Sequence, residues 1–447
     1  MKTLSRRSFL KAALAAGTAP LLLPSRIWAA QVGPNDTIRL GFIGCGIQSR
    51  GLLRGFLSQP NARTVAVCDV DTQRRDNQKR LVEEFYAKQS GTDFKGCTTH
   101  NDFREVLARK DVDAVVIATP DHWHAIIATA AAAAGKDIYC EKPLTNTIHE
   151  AKALMSAVAK HGRILQTGSM QRSMREFRVA CELARNGVIG KISRVHAGFG
   201  GPAKPCDLPA EESEPGLDWD LWLGPAPQRA YNAILSPRGV HTHFPMWRLY
   251  REYGGGMVTD WGAHHLDIAH WGLGADRSGP LEILPPDNAT SVSSGVRLRY
   301  ADDVEVTHIE QNGVTFFGTE GEIYVNRGKF KLTLRGASKA SFTAKEDKPP
   351  LAEQLDSVEK EFLREPKVRL LHSADHKQDF LSSILSRRAP IADAEVGART
   401  VIGCHLIGLA YRHGQTLRWN PALNQFDAGS GDPGWLHNEY RGDWKLS

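Results

Sequence analysis

The stretch from Ile38 to Ser49 constrains the fold of this chain more than any other. Ile38 to Ile43 (IRLGFI) reads as a buried strand, and an amphipathic, helix-like segment follows. Between them stands Gly44-Cys45-Gly46-Ile47-Gln48-Ser49, a G-x-G-x-x-S turn. Gly44 permits a tight turn, and Gly46 lets backbone approach a pyrophosphate. The third position, here Ser49, needs only a small residue where helix meets strand. A second strand, Thr64 to Cys68, ends in Asp69. That acid lies about 20 residues beyond the turn, where it can hold a ribose 2′-hydroxyl. Alone, the glycines would also fit a doubly wound domain in which they merely pack. Strand, turn, helix, strand and acid in this order predict a Rossmann dinucleotide-binding domain.

The pattern continues. Ala114 to Thr119 is a continuous apolar strand running into Pro120-Asp121-His122-Trp123-His124, and an alanine-rich helix follows over Ala125 to Ala134. Asp137 to Cys140 is the next strand and ends in Glu141-Lys142-Pro143. A helix near His149 to Lys160 and a strand near Arg163 to Thr167 complete the alternation. Ligands of such sheets gather at strand carboxyl ends. Thr119, Pro120, His122, His124, Glu141 and Lys142 are therefore expected at the nicotinamide end of a cofactor, with Gly44 to Gln48 under its pyrophosphate.

A second constellation lies far downstream, in Gly254 to Trp271 (GGGMVTDWGAHHLDIAHW). Three glycines break the chain before a helix-like run. Asp260 and His264 are four apart and share a helical face, and Asp267 follows one turn later. His265 points elsewhere. An acid and an imidazole on one face suit proton transfer; a buried helix with structurally bonded polar groups is the alternative. His264, His265, Asp267 and His270 are dense enough to raise a metal site. However, no H-E-x-x-H is present and His265 and His270 are five apart, off one face, so no metal is expected.

Taken together, strand-G-x-G, the terminal Asp69, T-P-D-H-W-H, strand-E-K-P and Gly255-Gly256-x-x-x-Asp260-x-x-x-His264-x-x-Asp267 resemble the Gfo/Idh/MocA family of NAD(P)-dependent sugar and polyol oxidoreductases. The resemblance covers roughly residues 37 to 420. It implies that Lys142, Asp260 and His264 converge on a substrate hydroxyl. On that reading His264 accepts the proton, Asp260 orients the hydroxyl and Lys142 stabilises the developing alkoxide. The other assignment makes Lys142 the base, with Asp260 and His264 relaying the proton. Gln171, Trp261, His265 and Asp267 are candidate substrate contacts. His122 and His124 would shape the nicotinamide pocket. A carboxylate at Asp69 repels a 2′-phosphate and favours NAD, while Arg74 and Arg75 just beyond keep NADP as an alternative.

The N-terminus, Ser5-Arg6-Arg7-Ser8-Phe9-Leu10-Lys11 before a mild apolar run, resembles a twin-arginine export signal ending near Ala29 or Ala30. It implies use of the twin-arginine translocase and a folded protein delivered to the periplasm. There a cofactor would have to stay bound and be recycled. A redox-neutral route satisfies this as well as net oxidation does: a glycoside hydrolase or lyase can oxidise a sugar carbon transiently and return the hydride. The net charge of +6 comes from basic residues scattered along the chain, so no nucleic-acid partner is expected. Of seven cysteines, Cys45, Cys68 and Cys140 sit in or at the ends of core strands, and one bridge among Cys97, Cys181, Cys206 and Cys404 stays open.

The 447 residues suffice for two domains. The expected organisation is a signal over residues 1–30, a Rossmann domain over 37–165, a substrate-binding α+β domain over 166–420 and an irregular tail over 421–447. Gln166 to Arg178 should border the cleft. Residues 200 to 253 are loop-rich and aromatic, either a substrate lid or a loop pinned by its tryptophans. Lys191 to Phe199, Ser291 to Tyr300, Val304 to Gln311, Val314 to Phe317, Glu322 to Val325 and Phe330 to Leu334 read as strands. They predict an open, mainly antiparallel sheet, covered by helices on one face and free on the other for a homo-oligomer contact. Residues 338 to 365 read as loop or a short helix; His372 to Ser386 and Glu395 to Arg412 read as closing helices.

Overall fold

The computed structural model of the protein describes residues 37–288 and 293–447. The twin-arginine-like stretch lies outside them. From Ile38 onward the chain forms one compact unit built on two sheets.

The first sheet alternates strands and helices. Its strands are β1 (Ile38–Ile43), β2 (Ala62–Cys68), β3 (Thr98–His100), β4 (Ala114–Ile117), β5 (Asp137–Cys140) and β6 (Leu165–Thr167). All pair in parallel, in the order β3-β2-β1-β4-β5-β6. The intervening helices are α1 (Ile47–Leu57), α2 (Thr72–Ser90), α3 (Phe103–Ala108), α4 (Asp121–Ala133) and α5 (Ile148–His161). Side chains alternate across the sheet: Leu40 and Phe42 join one apolar cluster, with Phe56, Tyr139 and Phe380, and Ile43 joins the other. Strand order reverses between β1 and β4, which is where ligands bind in such sheets.

After α6 (Arg175–Arg185), β7 (Ile192–Gly198) enters the second sheet. Next come α7 (Trp219–Leu223), α8 (Met257–Asp260) and α9 (Gly262–Leu273). The remaining strands are β8 (Glu282–Leu284), β9 (Arg297–Arg299), β10 (Glu305–Ile309), β11 (Gly313–Gly318), β12 (Gly321–Asn326), β13 (Lys329–Leu334) and β14 (Ala337–Phe342). Helices α10 (Leu351–Phe362), α11 (His376–Ser386) and α12 (Ala394–His413) precede β15 (Leu417–Asn420) and β16 (Gln425–Phe426). The ten strands run β14-β13-β12-β11-β7-β10-β9-β8-β15-β16 and are antiparallel except for β7 beside β10. Val195, Val306, Phe316, Ile323 and Leu332 face inward to the core that also holds α6 and α9. The alternate residues Glu305, Thr307, Glu322 and Lys331 are only partly covered.

Three expectations need correction. Ala337–Phe342 is a strand, not loop, and α10 follows it. The strand expected over Ser291 to Tyr300 begins outside the described residues, and its described part is Arg297–Arg299. The tail over 421–447 is not wholly irregular: its Gln425–Phe426 forms β16, paired with β15, which in turn pairs with β8. In addition, all seven cysteines are free thiols.

Candidate active site

Between the two sheets opens a cleft of about 560 Å³. Its floor on the Rossmann side is the G-x-G turn. Gly44 has φ of +88°, and a Cβ there would stand 2.7 Å from the Ala118 carbonyl group, so only glycine fits. At Gly46 a Cβ would meet nothing within 4 Å, leaving open space over the turn. Helices α2, α3 and α5 begin on capping side chains, from Asp71, Asp102 and Thr147. Helix α1 begins at Gly46 without one. Its first amide groups are thus left for an anion. Asp69, just past β2, accepts the Cys45 amide at 2.6 Å and the Asp71 amide at 2.9 Å, and it lines the cleft. Thr119 Oγ1, also at the cleft, is buried without a partner among the described residues. An uncapped helix, an open glycine and an orphaned hydroxyl along one wall fit a dinucleotide.

The E-K-P stretch follows β5. Gln48 Nε2 donates to Glu141 Oε1 at 2.9 Å, tying the glycine turn to this strand end, and burial pushes the Glu141 carboxyl up. Lys142 reaches across the cleft. Its Nζ donates to Asp260 Oδ1 at 2.5 Å and to the Asp260 carbonyl at 3.0 Å. Arg248 Nε lies 3.7 Å from the same Oδ1. Burial pushes the Asp260 carboxyl up, but Lys142, Arg248 and Arg327 outweigh it and hold the group below its usual value.

The glycine turn at 254–256 packs this segment down. Gly256 has φ of +76°, and a Cβ there would lie 2.3 Å from the Ala203 amide nitrogen. Asp260 and His264 do not share one continuous helix: α8 ends at Asp260, Trp261 interrupts, and α9 starts at Gly262. Asp260, Trp261 and His264 nonetheless all line the cleft. Burial, and then the charges of Lys142 and Arg327, hold His264 well below an ordinary imidazole, so it is neutral at pH 7. Its Nδ1 is buried and has no partner among the described residues.

Other expected site residues go elsewhere. Helix α9 leaves the cleft for the core, with every residue from Gly262 to Gly272 buried. One turn below His264, Asp267 therefore meets Arg172, at 2.8 and 3.0 Å from Nε, and accepts from Thr400 Oγ1 at 3.1 Å. His265 Nδ1 bonds the Gly198 carbonyl, and His270 Nε2 meets the Tyr300 hydroxyl at 2.6 Å. The dense histidine–aspartate cluster is thus divided among separate partners. Gln171 lies behind the site: its amide group donates to the His264 carbonyl at 3.2 Å and accepts from Arg327 Nε at 3.1 Å. His122 Nε2 turns to the Trp222 carbonyl at 3.0 Å, away from the cleft, whereas His124 lines it.

Sequence reasoning passed over Asp121, Arg248 and Arg327, which all line the cleft. Asp121 stands inside the quoted P-D-H-W-H, so its signal was at hand. Arg327 sits in the β12–β13 turn, and nothing local marks it. The 200–253 segment is pinned by its tryptophans and also lines the cleft. Trp222, Leu235, Trp247, Tyr250 and Tyr253 form their own apolar cluster, and Trp222, Leu235 and Trp247 also face the cleft.

Five buried histidines, His122, His124, His265, His270 and His376, are pushed down to about 4 by burial. Unfolding returns each to about 6.5. The stability this gives is present above pH 6.5 and is lost as pH falls through about 4. Melting temperature followed by circular dichroism should stay level from pH 8 to 7 and fall steadily below about 6.5. A level profile down to pH 4.5 would contradict neutral burial of these rings.

Comparison with known proteins agrees with this architecture. Residues 38–169 match the model of an oxidoreductase family NAD-binding Rossmann fold, and residues 203–361 match that family's C-terminal alpha/beta domain. Inositol 2-dehydrogenase 2 of Saccharopolyspora erythraea is 25% identical over 295 residues, covering 65% of this chain and 68% of that protein. Glycosyl hydrolase family 109 protein 2 of Shewanella sp. (strain ANA-3) is 29% identical over 215 residues, which is 44% of this chain and only 46% of the relative's length. The crystal structure of aldose-aldose oxidoreductase from Caulobacter crescentus shares the fold, with a TM-score of 0.55 and 18% identity over 86% of this chain and 99% of that one. With its Rossmann half and its C-terminal half both matched, the chain belongs to the Gfo/Idh/MocA family of oxidoreductases.

Proposed function

We propose that the protein transfers a hydride between a sugar or polyol carbinol and a nicotinamide dinucleotide held in the cleft. The observation that carries this reading is a neutral His264 beside the Lys142–Asp260 ion pair, in a cleft floored by an uncapped glycine turn. Residues Gly44 to Gln48 would hold the pyrophosphate and Asp69 the adenosine ribose. Thr119, Pro120, His124, Glu141 and Lys142 would border the nicotinamide. When bound, the dinucleotide supplies the hydride acceptor. The chain supplies the rest: Asp260 orients the substrate hydroxyl, neutral His264 takes its proton, and the Lys142 ammonium group stabilises the oxygen as negative charge develops.

NAD is favoured over NADP. The Asp69 carboxylate at the cleft repels a 2′-phosphate, and Arg74 is spent on Ser236, Pro237 and Gly239, while Arg75 commits its Nη1 to the Asp69 carbonyl and Asn101. The twin-arginine-like N-terminus supports export to the periplasm with the cofactor enclosed. The partly covered face of the second sheet supports a homo-oligomer. A second reading, favoured by the glycosidase relative, returns the hydride after a glycosidic bond has been cleaved, with no net oxidation.

Mass spectrometry of the nucleotide released on denaturing the purified protein tests the core of this reading. NAD(H) near one per chain is expected. A protein that carries no nucleotide and binds none when titrated would sink it. Gly44→Ala should empty the site: besides the clash, strained backbone costs roughly 1–3 kcal/mol. The check is nucleotide content together with the melting temperature.

A further inference from the structure

The proposed function leaves the charge of the substrate open. Around Asp260 the cleft places Lys142, Arg248 and Arg327. Lys142 is paired with Asp260, but the two guanidinium groups exceed what one carboxylate can balance. Two further acids border the same space, Asp121 and Glu141; burial pushes both carboxyls up, and Glu141 is already engaged by Gln48 Nε2 and the Lys142 amide. Guanidinium groups that keep unpaired N–H donors in a cleft with apolar walls call for an anion.

The two arginines are also aimed. The Arg327 guanidinium lies 4.8 Å above the Trp261 ring, and its Nε is taken by Gln171 at 3.1 Å, a residue only 1% exposed. Ring and amide together fix the plane of the group. Both terminal nitrogens are left without an acceptor among the described residues. Arg248 is held likewise: it stacks 4.2 Å over Trp247, its Nη1 donates to the Pro245 carbonyl at 2.9 Å, and its Nε faces Asp260. Its Nη2 has no acceptor among the described residues. A planar fork with its two ends free matches a carboxylate, which accepts two parallel hydrogen bonds. Pre-fixing the fork lowers the ordering cost of binding.

We propose that the substrate is an acidic sugar, a uronate or aldonate, whose carboxylate is received by the terminal nitrogens of Arg327 and Arg248. This rests on the hydride-transfer reading above and gives it a substrate class. Trp261 carries the arginine on one side of the site, while Lys142, Asp260 and His264 address a hydroxyl on the same molecule. Neutral sugars of the same stereochemistry would lack the anchor and bind weakly.

The test compares substrate pairs that differ only in a CH2OH or a carboxylate, such as glucose with glucuronate, galactose with galacturonate and glucitol with gluconate. Two readouts are used: kcat/KM followed at 340 nm, and the rise in melting temperature of the NAD-loaded protein. The acid should exceed its neutral partner at least tenfold in kcat/KM, and should raise the melting temperature where the neutral sugar does not. In Arg327→Gln the acid-to-neutral ratio should fall at least tenfold, chiefly through KM, and Arg327→Lys should restore part of it. Equal kcat/KM for acid and neutral partners, or a ratio unmoved in Arg327→Gln, overturns the proposal while leaving hydride transfer intact. Preference for a sugar phosphate over both overturns the carboxylate assignment. Failure of the underlying reading shows differently, as a protein that binds no nicotinamide nucleotide at all.

Discussion

Lys142→Met should lower kcat roughly 100- to 1,000-fold while the protein still folds and still carries its nucleotide. The substitution keeps the length of the stem and removes the ammonium group. That group is the donor that reaches from the Rossmann side of the cleft to Asp260, at 2.5 Å. Without it, negative charge developing on the substrate oxygen loses its nearest cation. Asp260 keeps Arg248 at 3.7 Å as a partner, so the local fold is not expected to collapse. Steady-state rates, nucleotide content and circular dichroism on the same preparation separate the outcomes. A full rate in Lys142→Met would remove this lysine from the chemistry. Loss of rate together with loss of nucleotide would assign it to cofactor binding instead.

The second large effect concerns stability. Asp267→Ala should destabilise the fold by about 3–5 kcal/mol, because it leaves the Arg172 guanidinium buried with one of its two acid partners gone. Arg172 is 2% exposed and Asp267 fully buried, and Asp276 at 2.7 Å is the partner that remains. The spacing of Asp267 suggests a substrate contact; the structure makes it the buried anchor of α9. The two roles predict opposite results. A substrate contact raises KM and leaves the urea midpoint alone, whereas the buried pair lowers the midpoint. Arg172→Met on top of Asp267→Ala should recover part of the loss, since removing both charges is cheaper than stranding one.

The Rossmann half was legible because its signals are local. The β1 strand, the G-x-G turn and Asp69 lie within one βαβ unit, and the φ of +88° at Gly44 is the tight turn that its glycine permits. The same holds for Lys142, whose position at the end of β5 fixes its direction. The second half depends on distant pairings. Strand β14, Ala337–Phe342, buries only Ala340 and therefore carries no hydrophobic alternation. Strand β15 forms against β8, more than a hundred residues earlier, and leaves no local trace. In the Gly254–Trp271 stretch, helical spacing brought Asp260 and His264 to one site although Trp261 breaks the helix between them. It turned His265 away from that face correctly but misplaced Asp267, because direction into or away from the core is set by what the helix packs on, not by its period. Arg327 arrives from a hairpin turn, and only the folded chain sets it beside Trp261.

The central claim is hydride transfer in the cleft beside Lys142, Asp260 and His264. Stopped-flow absorbance at 340 nm on the NAD-loaded protein, mixed with a panel of neutral and acidic sugars, polyols and their glycosides, tests it most directly. A rise at 340 nm is predicted with at least one member of the panel, lasting for a net oxidation and transient for a redox-neutral cleavage. In Lys142→Met it should be slowed roughly 100- to 1,000-fold. Turnover of any panel member with no change at 340 nm on any timescale, by a protein shown to hold NAD, would contradict the account.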